Sequence, residues 1–457
     1  MKILRADKTD LSAALDELSS ALGFFQAGMT AAGADERTEA VFGEALSPLE
    51  AVRRILSDVR ELGDGAVAAY AEKLDGARLT PDRFRVSPEE IVAACDAVPD
   101  ALKKSLSKAK ENIRRFQEHI KIHTPSPLEN AEGGTLTVRY LPLNRVAVYV
   151  PGGSAGYPST VLMAAVPAQV AGVKEVAMIT PCGRDGAVRP ETLAAAHEAG
   201  ITEIYRGAAV ALIGAAAYGT ATIPRVDKIV GPGNLFVTLA KREVYGQVDL
   251  DMLAGPSEVL IIADGAANPC FLAADLLSQA EHNPASAVLL TPNAAVAERT
   301  VTEIERQAKE LSRGVEALDC IERYGFVAVT RDLDQAVELA NRFAPEHLEL
   351  AVADPEALVG RLRNAGAIFV GPFTPEPVGD YIAGPSHVLP TGGTARFFSG
   401  LSVNDFLRRT SVLAYSRDAL QKVAADVDVI ARAEGLDAHA RAATIRFEES
   451  ERDAQEP

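Results

Sequence analysis

From Arg145 onward, short apolar runs alternate with alanine-rich helical stretches, and this pattern constrains the fold more than any other feature. Two series of runs have the length and composition of buried strands, at residues 146–150, 175–180, 202–205 and 228–231, and then at 258–263, 286–290 and 326–330. Helices between such strands are the connections that parallel strands require. The sequence therefore predicts two similar open α/β modules in tandem, with binding sites at the carboxyl ends of strands and at helix starts.

The composition is that of a large acidic globular protein. The 457 residues carry a formal net charge of -17 and are 47% apolar, which suits roughly two to four domains with a core in each. The acidic residues are spread along the chain without a basic stripe, which argues against nucleic acid and an anionic membrane surface as partners. Four widely separated cysteines and a charged amino terminus favour a cytoplasmic protein.

Two glycine-rich turns stand where a strand gives way to a helix. Residues 151–158 follow the first strand of the first module, and residues 231–234 follow its fourth. At such positions, backbone amides and the helix dipole favour a phosphate. Each turn alone is equally well explained as a tight crossover. Together they favour a dinucleotide, with Asn234 able to hydrogen-bond a ribose or an amide.

A helix predicted at residues 271–280 ends in a pair of possible metal ligands. Gln279 and His282, in the run Ser-Gln-Ala-Glu-His, project from one side of its last turn. Such a pair is half of a metal site, and the alternative is a helix end that meets solvent.

Further along the chain, residues suited to acid/base chemistry and metal binding follow helical and loop segments. Glu346 and His347 come directly after Pro345 and before an apolar residue, which suits general acid/base work near neutral pH. Asp380 and His387 lie in a loop-rich segment, where turn chemistry alone explains an aspartate after a glycine. A carboxylate, two imidazoles and an amide oxygen nevertheless form a donor set suited to Zn²⁺ or Mn²⁺.

Between about residue 47 and residue 445, the sequence resembles the histidinol dehydrogenase family. The matching blocks, in order, are 149–153 (YVPGG), 159–163 (STVLM), 230–234 (VGPGN), 251–252 (DM), 254–258 (AGPSE), 278–282 (SQAEH), 345–348 (PEHL), 379–381 (GDY), 387–391 (HVLPT), 434–436 (EGL) and 438–439 (AH). Members of this family are zinc enzymes that use two NAD to oxidise L-histidinol through the aldehyde to L-histidine, in the last steps of histidine biosynthesis.

The resemblance implies the site residues, position by position. The implied metal ligands are Gln279, His282, Asp380 and His439, and the implied acid/base pair is Glu346 and His347. The implied substrate contacts are Ser257, Gln279, His282, His347, Asp380, Glu434 and His439, and the implied NAD contacts are Tyr149 and Asn234. The resemblance further implies one zinc per subunit and a homodimer with shared sites, in which the last histidine is contributed by the neighbouring subunit.

One position departs from the family pattern. The family usually has a glutamine that contacts NAD before its alanine-rich helix, and Ala211 stands at that place here. This change puts the affinity for the cofactor, or the identity of the cofactor, in question. The zinc and acid/base residues are unaffected by it.

These observations predict an α/β fold with two tandem incomplete Rossmann-like open sheets and helical amino- and carboxyl-terminal segments. We expect an amino-terminal helical arm at 1–45, and a first α/β domain for substrate and metal at 46–149 together with 257–393. A second α/β domain for NAD is expected at 150–256, and a small helical domain at 394–457.

Two other functions are consistent with parts of the pattern. A paralogous zinc- and NAD-dependent dehydrogenase could act on another small amino or sulfonate alcohol, although Ser257 and Glu434 match the histidinol pattern. Tandem α/β modules also build small-molecule binding proteins without catalysis, and the Glu346–His347 pair argues against that class. For the enzyme, the expected mechanism has His347 taking the substrate hydroxyl proton and Glu346 activating water for the second oxidation.

Overall fold

The computed structural model describes residues 1–22, 34–152 and 156–452. Part of the predicted amino-terminal arm and residues 153–155 of the first glycine-rich turn lie outside the described residues. The chain divides into two compact units, the first formed by residues 1–120 and 143–406 and the second by 121–142 and 407–457. No helix in the described part of the chain is long and apolar enough to cross a membrane.

The strands are, in chain order, β1 (Lys2–Arg5), β2 (Leu128–Glu129), β3 (Thr135–Pro142), β4 (Arg145–Tyr149), β5 (Glu175–Thr180), β6 (Glu203–Arg206), β7 (Lys228–Val230), β8 (Asp249–Leu250), β9 (Ser257–Ala263), β10 (Ala285–Thr291), β11 (Gly325–Val329), β12 (His347–Ala351), β13 (Ala367–Val370) and β14 (Leu407–Ala414).

The described α-helices are α1 (Leu11–Ala21), α2 (Ala34–Phe42), α3 (Pro48–Leu62), α4 (Asp64–Asp75), α5 (Pro88–Ala97), α6 (Asp100–Ile120), α7 (Pro158–Ala171), α8 (Pro190–Glu198), α9 (Ala209–Tyr218), α10 (Leu235–Val244), α11 (Pro269–Ala280), α12 (Ala294–Ala308), α13 (Gly314–Tyr324), α14 (Leu333–Phe343), α15 (Glu356–Val359), α16 (Glu376–Val378), α17 (Arg417–Ala433) and α18 (Asp437–Arg452).

The first unit contains a six-stranded parallel sheet with the order β1-β11-β10-β9-β12-β13. Alternate side chains of each strand point to opposite faces of the sheet, and helices cover both faces. Leu260 and Ile262 of β9 pack with residues of α1 and α14. Val259 and Ile261 pack with residues of α11, α12 and α13. These two apolar layers fix the register of β9 at the centre of the sheet.

A five-stranded parallel sheet, also in the first unit, has the order β6-β5-β4-β7-β8. Its central strands are mostly apolar after a charged first residue, and the helices that connect them are rich in buried alanine. In this arrangement β4 and β7 lie side by side, so the two glycine-rich turns that follow them leave the same edge of the sheet.

The second unit is smaller and combines an antiparallel sheet with two helices. The sheet has the order β14-β3-β2, and α17 packs against α18. Ser416 caps the start of α17 by accepting a hydrogen bond from the backbone of Ala419.

The predicted α/β class and its two parallel sheets are confirmed, whereas the helical prediction for the two ends of the chain is wrong in part. Lys2–Arg5, expected to be helical, is an edge strand that pairs with β11. The carboxyl-terminal segment was also expected to be helical, but Leu407–Ala414 is a strand. Both strands carry charged residues on an exposed edge, which hides the apolar alternation by which strands are recognised.

Candidate active site

The implied acid/base residues, with Gln279 and Asp380 of the implied metal ligands, come together at the amino edge of the six-stranded sheet. Ser257 and His347 are the first residues of β9 and β12, and Gln279 lies in the last turn of α11. A helix that connects parallel strands runs antiparallel to them, so its carboxyl end lies at this edge. For this sheet, the expectation of a site at the carboxyl ends of the strands is therefore wrong.

Reciprocal hydrogen bonds between two glutamates hold β9 and β12 together at this edge. The backbone N–H of Glu258 donates to Glu346 Oε2 at 2.9 Å, and the backbone N–H of Glu346 donates to Glu258 Oε2 at 3.3 Å. The hydroxyl of Ser257 also donates to the Glu346 carboxylate. Glu346 is only 5% exposed, so its orientation is determined by these contacts.

His347 is buried at the centre of the cluster, with a defined role for each ring nitrogen. Nδ1 lies 3.0 Å from the carbonyl oxygen of Glu258 and 3.1 Å from Gln279 Oε1. Because both neighbours are acceptors, Nδ1 carries the ring hydrogen. Nε2 therefore faces Asp380, whose Oδ1 is 3.7 Å away, and it is the nitrogen available for proton exchange.

Asp380 lies on a single π-helical turn, Gly379–Ala383, a feature that often marks functional sites. Gly379 is required there, because a Cβ at this position would lie 2.7 Å from the ring of Phe369. Phe369 in turn packs against the His347 ring, with 5.8 Å between the ring centroids. The turn thus places a carboxylate over the imidazole.

His387 connects this turn to the helix that follows the first glycine-rich turn. Its Nδ1 lies 3.0 Å from the backbone oxygen of Asp380, and its Nε2 lies 3.2 Å from Thr160 Oγ1 in the first turn of α7. His387 therefore connects Asp380 of the cluster to α7, the helix that follows β4 of the five-stranded sheet.

The buried charges shift one another strongly. Burial would lower the pKa of His347, but the carboxylates of Glu346 and Asp380 outweigh it and raise this pKa to about 10. Burial raises the pKa of Glu346 to about 7, which the charge of His347 only partly offsets. Burial also opposes the charge of Asp380, but contact with His347 and the charges of His387 and His347 lower its pKa to about 2. The cluster therefore holds a proton on His347 between two carboxylates.

The same residues can hold a metal ion. Among the described residues, His347, Glu376 and Asp380 offer ligand atoms within 4.8 Å of one another. Two polar atoms of the cluster, His347 Nε2 and Gln279 Nε2, are buried without a hydrogen-bond partner, and an unpaired buried polar atom costs about 1–3 kcal/mol. A cation would satisfy the imidazole nitrogen, whereas the amide N–H group is a donor and needs an acceptor on a bound ligand. Imidazole, amide and carboxylate groups form the donor set of a zinc site.

His282 belongs to this cluster as well. It follows α11 directly, and burial lowers its pKa, while the charges of Asp380 and His347 act on it in opposite directions. Its ring is therefore neutral near pH 7, which is the form that binds a metal. His282 therefore lies near Asp380, although its ring is not one of the groups whose ligand atoms are within 4.8 Å of one another.

The implied NAD contacts lie at the carboxyl edge of the five-stranded sheet. Tyr149 is the last residue of β4, and Asn234 caps α10 by accepting a hydrogen bond from the backbone N–H of Val237. Gly231 has a φ of 117°, and a Cβ there would lie 2.1 Å from the carbonyl oxygen of Tyr149. The close approach of these two backbones explains why glycine is needed at this position.

A buried ion pair fixes the second glycine-rich turn. Asp251 accepts a hydrogen bond from the Gly231 N–H at 2.7 Å, and Lys241 Nζ donates to the Gly231 carbonyl oxygen at 2.9 Å. Lys241 and Asp251 also form an ion pair with each other. Ala211, in contrast, is fully buried inside α9, and its methyl group has no polar atom to offer a cofactor.

Glu434 and His439 belong to the second compact unit. Glu434 ends α17 and His439 lies in the first turn of α18. Both are exposed, so the side chains are accessible to a ligand or to another molecule.

Two residues that sequence reasoning did not assign, Glu258 and Glu376, are buried beside the acid/base residues. His387, which the sequence grouped with Asp380 as a possible metal donor, instead supports the backbone of Asp380 through Nδ1. Glu258 has a recognisable signal, because it is a charged residue at the start of an otherwise apolar strand. Glu376 lies between two prolines, in a segment without any periodic pattern.

Comparisons with known proteins agree with the geometry. The family model described as histidinol dehydrogenase matches residues 43–447. A histidinol dehydrogenase from Rhodopirellula baltica is 49% identical over 414 residues, covering 90% of both chains. One from Moorella thermoacetica is 52% identical over 399 residues, covering 87% of this chain and 94% of the relative.

A solved structure is similar over nearly the whole fold. The crystal structure of histidinol dehydrogenase from Elizabethkingia anophelis has a TM-score of 0.85 and 36% sequence identity, and the match covers 91% of this chain and 96% of that one. The relatives do not favour a paralogous enzyme that acts on another alcohol. From its sequence matches, its fold and the cluster at the start of β12, the chain belongs to the histidinol dehydrogenase family.

Proposed function

We propose that this chain oxidises L-histidinol to L-histidine in two successive two-electron steps, with NAD as the hydride acceptor and one zinc ion per subunit. The observation that carries the proposal is the buried His347 with its Nε2 unpaired beside Asp380. A buried base without a partner, next to a possible metal site, is suited to taking a proton from a bound alcohol.

We propose Gln279, His282 and Asp380 as zinc ligands in this chain, with His439 of the partner subunit as the fourth. Zinc bound there would supply a Lewis acid that orients the amine and imidazole of the substrate and lowers the pKa of neighbouring groups. Its positive charge beside Asp380 would offset the carboxylate that now favours a proton on His347. The imidazole would then be neutral and able to accept a proton.

In the proposed first step, His347 Nε2 accepts the proton of the substrate hydroxyl group, and the carbon that carries this group transfers a hydride to NAD. The products are the aldehyde and NADH. The hydrogen bond from Nδ1 to Glu258 keeps the ring in this orientation. In the second step, Glu346 accepts a proton from the water that adds to the aldehyde, which leaves the hydrate as its oxyanion. This oxyanion gives a second hydride to a new NAD, and the carboxylic acid that forms loses its proton to solvent, so the product is the carboxylate of L-histidine.

We propose that NAD lies along the carboxyl edge of the five-stranded sheet, against Tyr149, Gly231 and Asn234. The support is the position of Tyr149 at the end of β4 and the start of α10 beside it, where backbone N–H groups favour a pyrophosphate. The Lys241–Asp251 pair would keep the turn in the conformation that binds it. We propose Ser257 and Glu434 as further substrate contacts.

The free cysteines suit a protein of the reducing cytoplasm.

Metal dependence tests the proposal directly. We expect the zinc-loaded protein to form NADH from L-histidinol and a strong chelator to abolish this activity, because the buried donors would lose the ion that orients the substrate. Added Zn²⁺ restores the rate. NADH formation that persists in protein shown by metal analysis to be free of zinc would contradict the metal assignment, and a binding protein would form no NADH at all.

A mixing experiment tests the proposed shared site. Subunits carrying His347→Asn are dissociated and reassociated with subunits carrying His439→Asn. If each site combines His347 of one subunit with His439 of the partner subunit, half of a random mixture is heterodimer with one intact site, and about a quarter of wild-type activity returns. If both residues serve the same site within one chain, every site carries a substitution and no activity returns.

A further inference from the structure

Asp75 is the last residue of α4, and one of its carboxylate oxygens has no partner. Oδ2 is buried and accepts no hydrogen bond from any of the described residues. Burial alone raises the pKa of Asp75, to about 6, so the group remains ionised at neutral pH. An ionised oxygen without a hydrogen bond is expensive in a protein interior.

The position of Asp75 in its helix adds a second cost. α4 ends at Asp75, and Gly76 forms its carboxyl-terminal cap in the left-handed conformation, with a φ of 70°. The carboxyl end of a helix carries a partial negative charge, where lysine or arginine stabilises and a carboxylate destabilises. The buried guanidinium of Arg206, which like Asp75 acts on Cys182, is occupied by Glu90 and the backbone of Arg83. Folding alone therefore gives no reason for an aspartate here.

Asp75 lies at the carboxyl ends of β4 and β5. Tyr149 lies at the end of β4, and its pKa is raised by burial and, to a smaller extent, by the charge of Asp75. Cys182 lies just beyond β5, and the same two causes raise its pKa to about 11. The residues after Asp75 run along the loop that leaves β5. A Cβ on Gly76 would lie 3.4 Å from the Arg184 side chain, and one on Gly186 would lie 3.0 Å from Leu79.

This edge is also where the turn after β4 begins. A Cβ on Gly152 would lie 3.0 Å from the carbonyl oxygen of Pro181, so the segments that follow β4 and β5 are in contact. In dinucleotide-binding sheets, the pyrophosphate lies at the turn after the first strand and the ribose of the adenosine half lies by the end of the second, where an acidic side chain binds its hydroxyls. Of the residues that follow β5, 181–184 include no acid, and the Asp185 carboxylate is engaged by the backbone N–H of Ala187.

We propose that Asp75 supplies this missing acid, binding the 2′- and 3′-hydroxyls of the adenosine ribose and selecting NAD over NADP. The inference rests on the proposed NAD dependence. A carboxylate accepts hydrogen bonds from both hydroxyls, which satisfies the unpaired oxygen, and it repels the 2′-phosphate of NADP. The acid comes from a helix packed over the edge of the sheet, far from β5 in sequence.

The test is isothermal titration of the full-length protein with NAD and, separately, with NADP, without L-histidinol. We compare the wild type with Asp75→Asn and Asp75→Ser, and with Glu72→Gln as the matched control on the exposed side of the same helix. Removing the carboxylate should raise the Kd for NAD by about ten- to a hundredfold. The Kd for NADP should change less, so the preference for NAD falls by at least about tenfold. Glu72→Gln should leave both constants unchanged.

Thermal unfolding of the same proteins separates binding from folding. Because Asp75 is unpaired at a helix carboxyl end, both variants should unfold at the wild-type temperature or above it. If the ratio of the Kd for NADP to the Kd for NAD is the same in both variants as in the wild type, Asp75 does not have the proposed role. A wild-type protein that binds neither nucleotide and forms no NADH would instead refute the proposed function itself.

Discussion

Replacement of His347 by asparagine should lower kcat by roughly 10²- to 10⁴-fold, the usual contribution of a positioned acid/base group. Asparagine can keep a hydrogen bond to the Glu258 carbonyl, but it has no nitrogen that accepts a proton at neutral pH. Gln279, His282 and Asp380 remain, so the zinc content of the purified variant should equal that of the wild type. Steady-state NADH formation and metal analysis on the same sample provide the two measurements.

His197→Asn is the matched control for this variant, because His197 is an exposed histidine near the end of α8. It should have wild-type activity and zinc content. If the His347 variant kept its turnover, His347 would not be the base. If it lost both zinc and activity, His347 would belong to the metal site, as its 3.7 Å separation from Asp380 also permits.

Replacement of Glu346 by glutamine should slow the second oxidation far more than the first. Glutamine keeps an oxygen that can accept from the Glu258 N–H and the Ser257 hydroxyl, but it cannot take a proton from water. We expect the step from aldehyde to acid to slow by roughly 10²- to 10⁴-fold. With limiting L-histidinol, the NADH formed early in the reaction should fall from two per substrate toward one.

Glu356→Gln provides the comparison for the Glu346 variant, because Glu356 is exposed in α15 and should not affect either step. Equal slowing of both steps by Glu346→Gln would show that the carboxylate acts only by holding β9 and β12 together. An unchanged yield of NADH per substrate would remove Glu346 from the second step.

The sequence predicts the central strands of both sheets well because each consists mainly of a short run of apolar residues. β9, predicted at 258–263, is observed at Ser257–Ala263, and β5 was predicted with its observed bounds. It did not predict β12, because His347 and Glu349 place two ionisable side chains in a buried strand. Only the pairing of β12 with β9 and β13 explains why such a segment is extended.

The candidate site was predictable in its residue types and less so in its geometry. The end of α11 indicated Gln279 and His282, and the resemblance added Asp380 from a distant part of the chain. The partners that orient these groups depend on tertiary contacts. Glu258 reaches Glu346 only because β9 and β12 are neighbours, and His387 reaches Asp380 only because the π-helical turn folds back. Local patterns carry no signal for such contacts.

The most direct test of the central claim is the number of NADH molecules formed per L-histidinol by the wild-type protein. The zinc-loaded enzyme is given a limiting amount of L-histidinol with excess NAD, and NADH is followed to completion. One buried site that holds the aldehyde between His347 and Glu346 should yield two NADH and one L-histidine per substrate. A yield of one NADH with accumulation of the aldehyde would contradict the account.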